Sequence, residues 1–202
     1  LVDLIERDIV TLTIPSGTTK IGDYAFYSCT PLTSVTIPSG VTKIGDYAFN
    51  ATSLTSITIP SGVTSIGQRV FSNCTALTSV TIPSGVTYIS YFTFQNCSSL
   101  ATINIPSGVT GIGNSAFQGC SSLTSITIPS SVREFNQQAF QDCTSLTTVT
   151  CEAVNPPTLG YRTFYNDTNL AHIYVPSGSV ETYKAANGWS TYASIIEAIP
   201  TT

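Results

Sequence analysis

The sequence has no methionine, one histidine and one tryptophan, and only seven Lys or Arg against eleven Asp or Glu in 202 residues. Charged side chains are 9% of it, where an ordinary soluble domain carries about 25%. From Val70 to Val132 there is none. Such scarcity removes most general acid–base chemistry, which draws on His, Asp, Glu and Lys. The seven cations are scattered singly and the net charge is −4, so the clustered Lys and Arg that phosphate binding needs are missing and no nucleic-acid partner is expected. No apolar run approaches the ~18 residues of a membrane span, so no insertion into a membrane is expected. There is no nucleophile motif, phosphate loop or metal-ligand pair. No catalytic residue, metal or cofactor is therefore expected, and the chain is not read as an enzyme. His172 with Glu152 or Asp167 and a serine is a combination of the kind chance supplies. The chain opens Leu1-Val2-Asp3 without a basic or apolar leader, and its lack of an initiator Met reads as a processed or excised piece of something longer or, alternatively, as an artificially trimmed chain.

What fills the chain instead is small and regular. Hydrophobic residues are 42%, too many for a disordered polar tract, and Ser with Thr make up more than a quarter. The tetrapeptide Ile-Pro-Ser-Gly recurs with its proline at Pro15, Pro38, Pro60, Pro83 and Pro106; Pro129 follows with Ser131 in place of the glycine, and Pro176 belongs to a divergent copy. Most steps are 23 residues, and the second unit lacks one residue near Ala51. Units start at Ile9, Leu32, Leu54, Leu77, Leu100, Leu123, Leu146 and Leu170, which makes eight strand-bearing repeats.

One unit shows the physics. Val80 and Ile82 alternate with Ser79 and Thr81, the period-2 signal of a half-buried strand. Pro83 cannot donate to a ladder and ends it. Ser84-Gly85 turns the chain, Val86 and Ile89 return inward, and a glycine after most such isoleucines (Gly22, Gly45, Gly67, Gly113) permits a tight corner. Ala-Phe pairs such as Ala116-Phe117 read as a short helical turn delivering one ring to the core. A unit buries perhaps six large side chains at ~1.5–3 kcal/mol each. Ordering its backbone costs about 1–2 kcal/mol per residue, so it cannot fold alone and must stack. The expected fold is an α/β, β-rich solenoid of about eight units, a curved right-handed arc with a continuous parallel sheet on its concave side.

The recurring I-P-S-G-V-T-x-I-G-x-x-A-F-x-x-C pattern resembles the BspA-like, or Treponema-type, bacterial leucine-rich repeat. The resemblance covers nearly the whole chain. It implies a bacterial extracellular or cell-surface module whose signal or anchor lies elsewhere, engaged in adhesion to host or neighbouring-cell protein or glycan. The expected division is an N-terminal cap over 1–8, repeats over 9–169 and a C-terminal cap over 170–202. That cap holds the last strand, a short helix from Val180 capped by Ser179, and apolar cover from Trp189, Tyr192, Ile195, Ile196 and Ile199. A monomer is expected.

Cys29, Cys74, Cys97, Cys120 and Cys143 share one repeat position. Side chains related by the repeat run parallel about 4.8 Å apart, whereas a disulfide wants converging Cβ atoms near 3.8 Å. They read as buried thiols acting as small hydrophobes. The Asn-x-Ser/Thr triplets at Asn50, Asn73, Asn96 and Asn166 read as chance products of a Ser/Thr-rich repeat.

Two surfaces are candidates for binding. Outward strand positions form a hydroxyl face: Thr36, Thr58, Thr81, Asn104, Thr127 and Thr150, closing on His172 and Tyr174. Threonine suits an exposed strand position for its own sake. The second is an aromatic stripe two residues before successive core phenylalanines, Tyr24, Tyr47, Arg69 and Phe92, with Tyr88 and Tyr91 beside it. Tyrosine and arginine are favoured at binding hot spots, although such rings also serve to shield the turns beneath them. The alternative to a binding module is a structural spacer in a larger surface or phage-tail-like protein, with no ligand of its own.

Overall fold

The computed structural model describes residues 9–201, so the expected cap over 1–8 lies outside the described residues. Most coils contribute a longer and a shorter strand. In chain order these are β1 (Thr11–Thr13), β2 (Lys20–Ile21), β3 (Ser34–Thr36), β4 (Lys43–Ile44) and β5 (Ser56–Thr58). There follow β6 (Ser65–Ile66), β7 (Ser79–Thr81), β8 (Tyr88–Ile89), β9 (Gly111–Ile112) and β10 (Ser125–Ile128). The rest are β11 (Glu134–Phe135), β12 (Thr148–Cys151), β13 (Thr158–Leu159), β14 (His172–Val175) and β15 (Ile196–Ala198), with the α-helix α1 (Val180–Ala185) and two 3-10 turns between the last two.

The longer strands pair in parallel in the register that the repeat predicts. Thr11 faces Ser34, Ser56 faces Ser79, Ser125 faces Thr148, and Thr148 faces His172. The expected continuity is not kept. The sheet runs as β1–β3, β5–β7 and β10–β12–β14–β15. The first break, between β3 and β5, coincides with the coil that is one residue short. At the second, the fifth coil gives only a bridge from Asn104 to Thr81. A ninth rung, β15, adds to β14 through Ile173–Ile196, so Ile196 is a strand residue and not only cover.

The shorter strands form a second parallel ladder, β2–β4–β6 and β8–β9–β11–β13. The third side is not helical, contrary to the expectation for Ala-Phe. Its backbone bonds alternate between a local turn, Tyr27 N–H to Tyr24 O at 3.1 Å, and the next coil, Phe26 N–H to Ala48 O at 2.8 Å. A helix would satisfy all its donors locally; here half of them tie coils together. The geometry is bought with left-handed residues at two positions per coil, including Tyr24, Tyr47, Arg69 and Phe92 at one and Ser28, Ala51, Asn73 and Asn96 at the other, all with φ between 54° and 62°.

The interior is a stack. Phe26, Phe49, Phe71, Phe94, Phe117, Phe140 and Phe164 lie 5.1–5.8 Å apart, with successive ring planes within 18° of parallel. The thiols form a second column. Cys74, Cys97, Cys120 and Cys143 are buried, and burial pushes each above the ordinary thiol range. Their column carries more than packing, since each Sγ donates to a backbone carbonyl of the coil before at 3.1–3.2 Å.

At the C-terminal end, α1 and the 3-10 turn Trp189–Ile195 close the stack. Trp189 is buried against Phe135, Phe164 and Tyr183, and its Nε1 donates to Pro157 O at 2.7 Å. Tyr183 bonds Ala153 O at 2.8 Å. Ser179 precedes α1 as expected, but its side chain makes no capping bond; the residue is buried.

Candidate functional site

The two candidate surfaces are physically different. On the strand face, Thr36, Thr58, Thr81, Asn104 and Thr127 are exposed in one row, with Thr150 and Tyr174 half-buried at its end. No charged side chain interrupts that row before Glu197, which faces Tyr174 from β15. His172 stacks on Tyr174 with ring centres 5.5 Å apart. Its Nδ1 lies 3.4 Å from Glu197 Oε1 without forming a hydrogen bond, and both side chains are about half exposed. Neither Glu152 nor Asp167 pairs with His172; Asp167 instead accepts the Cys143 N–H at 2.8 Å. That removes the one triad-like combination in the sequence. Among the described residues, no group of three or more His, Cys, Asp or Glu is placed to hold a metal ion, and no helix is long and apolar enough to cross a membrane.

The turn edge concentrates large apolar surface. Among the described residues seven large hydrophobic side chains are exposed, and five of them are tyrosines: Tyr24, Tyr27, Tyr91, Tyr161 and Tyr165. All five stand within three residues of the core phenylalanine of their own coil, so they share one side of the solenoid. The structure brings the predicted stripe together. Tyr24 and Tyr47 stack at 4.7 Å, and the Arg69 guanidinium lies 3.9 Å above Phe92 and 5.8 Å from Tyr47. Arg69 also donates to Gln95 Oε1 at 3.2 Å, which continues to Gln118.

Tyr88 and Tyr91 do something else. Their rings, edge to face at 6.3 Å, lie across the fifth coil where Gly111 and Gly113 have no side chains: a Cβ there would meet Tyr88 Cε2 at 2.8 Å and Tyr91 Cδ1 at 2.7 Å. The Tyr88 hydroxyl accepts from Asn136 Nδ2 two coils away at 2.8 Å. Burial, aided by Tyr91 and Glu134, pushes that hydroxyl up to about 12, so it stays neutral. Tyr88 is a shield, while Tyr91 remains exposed. A shallow trough of about 420 Å³ opens beside them, lined by Lys43, Asp46, Gln68 and both tyrosines.

A second cluster escapes the sequence reading. Arg162 sits 5.0 Å from the Tyr161 ring and 4.6 Å from Tyr165. Arg162 continues the register of Tyr24, Tyr47, Arg69 and Phe92, standing two residues before Phe164, so its position is a signal present in the sequence. Between the clusters the edge is amide-rich. The sequon asparagines are engaged here, Asn96 with Asn73 at 2.9 Å and Asn166 with Asp142 at 2.8 Å, while Asn50 bonds Arg69 O at 3.4 Å.

The comparisons agree with this geometry. The BspA type leucine-rich repeat region matches in six copies, over residues 6–124 and 88–187. A leucine-rich repeat protein of T. pallidum superposes with a TM-score of 0.74 at 27% identity, over 80% of this chain and 78% of that one. A leucine-rich repeat protein of Bacteroides ovatus does so with a TM-score of 0.57 at 26% identity, over 86% of this chain and 56% of that one. The chain thus spans little more than half of the Bacteroides ovatus protein. No curated protein matches the sequence.

Proposed function

The chain belongs to the BspA-type leucine-rich repeat family, whose repeats generally serve protein interaction, and from that premise we propose that it is a non-catalytic adhesion-type module at a bacterial surface, docking a host or neighbouring-cell protein along its turn edge. The observation that carries this reading is the gathering of five exposed tyrosines, with Arg69 and Arg162 among them, on one side of the solenoid. Tyrosine and arginine give large, rigid, amphipathic contacts at low entropic cost. A protein fits better than a glycan. Sugar stacking needs open ring faces, and here Tyr24 and Tyr47 stack on each other, Arg69 lies over Phe92, and Arg162 lies against Tyr161 and Tyr165, which leaves Tyr27 and Tyr91 as the exposed rings without a stacked face. The strand face, with His172 and Tyr174 at its end, supplies solubility and ladder closure in this account.

The test is a screen of the purified chain on arrays of host-matrix proteins and of glycans. A protein binder supports the reading. Binding confined to glycans contradicts the choice of partner, and no binder above background returns the chain to the role of a structural spacer.

A further inference from the structure

The thiol column follows a bonding rule. Cys74, Cys97, Cys120 and Cys143 donate to the carbonyls of Phe49, Phe71, Phe94 and Phe117, in each case the core phenylalanine one coil earlier. The next position in that column is Asp167, three residues after Phe164 as each cysteine is three after its own phenylalanine. Asp167 is 8% exposed. Its Oδ1 is bonded to the Cys143 N–H, and its Oδ2 is buried with no hydrogen-bond partner. The column assigns this position the carbonyl of Phe140, which receives only the Cys143 N–H, at 3.2 Å, and so keeps a lone pair to offer. A carboxylate has no proton to give; a carboxylic acid does.

We propose that Asp167 carries its proton in the folded protein and donates it to the Phe140 carbonyl, continuing the thiol ladder into the C-terminal cap and making that seam a latch that loosens when the proton leaves. The titratable groups that face it are Asp142 and Cys143 on the preceding coil and Tyr192 on the cap, whose ring meets Phe164 edge-on at 5.7 Å. Asp142 is itself held as an acceptor by Asn166 and Gln141, and neither ion pair among the described residues involves Asp167. Burial pushes the carboxyl up to about 8, the Asp142 charge adds to the rise, and the Cys143 N–H opposes it. In the unfolded chain an aspartate loses its proton near pH ~4. The folded state therefore holds one more proton between those values. The stabilisation is full below about pH 4, falls as pH rises to about 8, and is level above.

The experiment is urea unfolding of wild type and Asp167→Asn from pH 4 to 10, with the carboxyl carbon-13 shift of Asp167 followed by NMR in the folded wild type. The ratio of the two folding constants is expected to fall about tenfold per pH unit between pH 4 and 8 and then level off, with the carboxyl resonance titrating near 8. Amide exchange in Val180–Ala185 and Ile196–Ala198, corrected for intrinsic rates, is expected to rise above that pH in wild type alone. A constant ratio, or a resonance that titrates near 4, overturns the proposal, and the NMR readout holds even if the variant does not fold. None of these results depends on whether the turn edge binds a partner.

Discussion

At the residue scale the solenoid is set by how closely one coil approaches the next. Two glycines recur in the repeat for different reasons. The one after Pro-Ser has more room; at Gly108 a Cβ meets only Ser84 O at 3.4 Å. The one at the corner after the second strand lies on the preceding backbone; at Gly160 a Cβ falls 2.5 Å from Asn136 C and 2.7 Å from Gln137 N. Neither has positive φ, so close approach and not backbone freedom requires the corner glycine. Ser90 occupies a corner because its hydroxyl bonds Ile66 O of the coil before; alanine has no such return. Gly160→Ala is expected to cost about 1–3 kcal/mol, as overpacking does. Gly108→Ala is expected to be neutral or stabilising by up to about 1 kcal/mol, through the unfolded chain. Urea midpoints of the two variants check the contrast.

At the scale of elements, the turn side depends on left-handed residues. The second left-handed position takes Asn or Asp in most coils and Gly119 in the fifth, residue types that tolerate φ > 0. Ala51 stands there at φ 56° with no such excuse. Ala51→Gly is expected to stabilise by about 0.5–1 kcal/mol, since relief of left-handed strain exceeds the added chain entropy; a rise in melting temperature would register it. The place and register of the long strands were legible in the sequence, because Ser or Thr, Val or Ile, and Thr alternate ahead of a fixed proline, but their bounds and the lapse to a single bridge at the fifth coil were not. The short strands were not, since two residues such as Lys43–Ile44 have no period to read. The Ala-Phe segment suggested a helix because its local bonds have near-helical spacing, while the bonds that decide its shape run to another coil. The stripe from Tyr24 to Phe92 could be read from the register. Tyr27, Tyr161 and Tyr165 could not be singled out, because whether a tyrosine beside a core ring is exposed depends on neighbours one coil away.

Across the whole molecule, a stack of coils is only as sound as its ends. The C-terminal end is closed by Trp189, which fills the space over Phe135 and Phe164 and satisfies the Pro157 carbonyl. Trp189→Ala is expected to cost about 3–5 kcal/mol, the range for emptying an aromatic site, read as an earlier urea transition. With the core committed to columns and the strand face to hydroxyls, the tyrosine and arginine edge is the surface we propose for recognition. The most direct test is the affinity of a protein partner found on the arrays, measured by interferometry for wild type, for an edge variant and for a strand-face variant. Tyr24→Ser, Tyr91→Ser and Tyr165→Ser combined are expected to weaken binding at least about tenfold, as loss of hot-spot rings does, while Thr36→Lys with Thr127→Lys leaves it within about twofold. Unchanged affinity for the edge variant, or loss on the strand-face variant alone, would contradict the account.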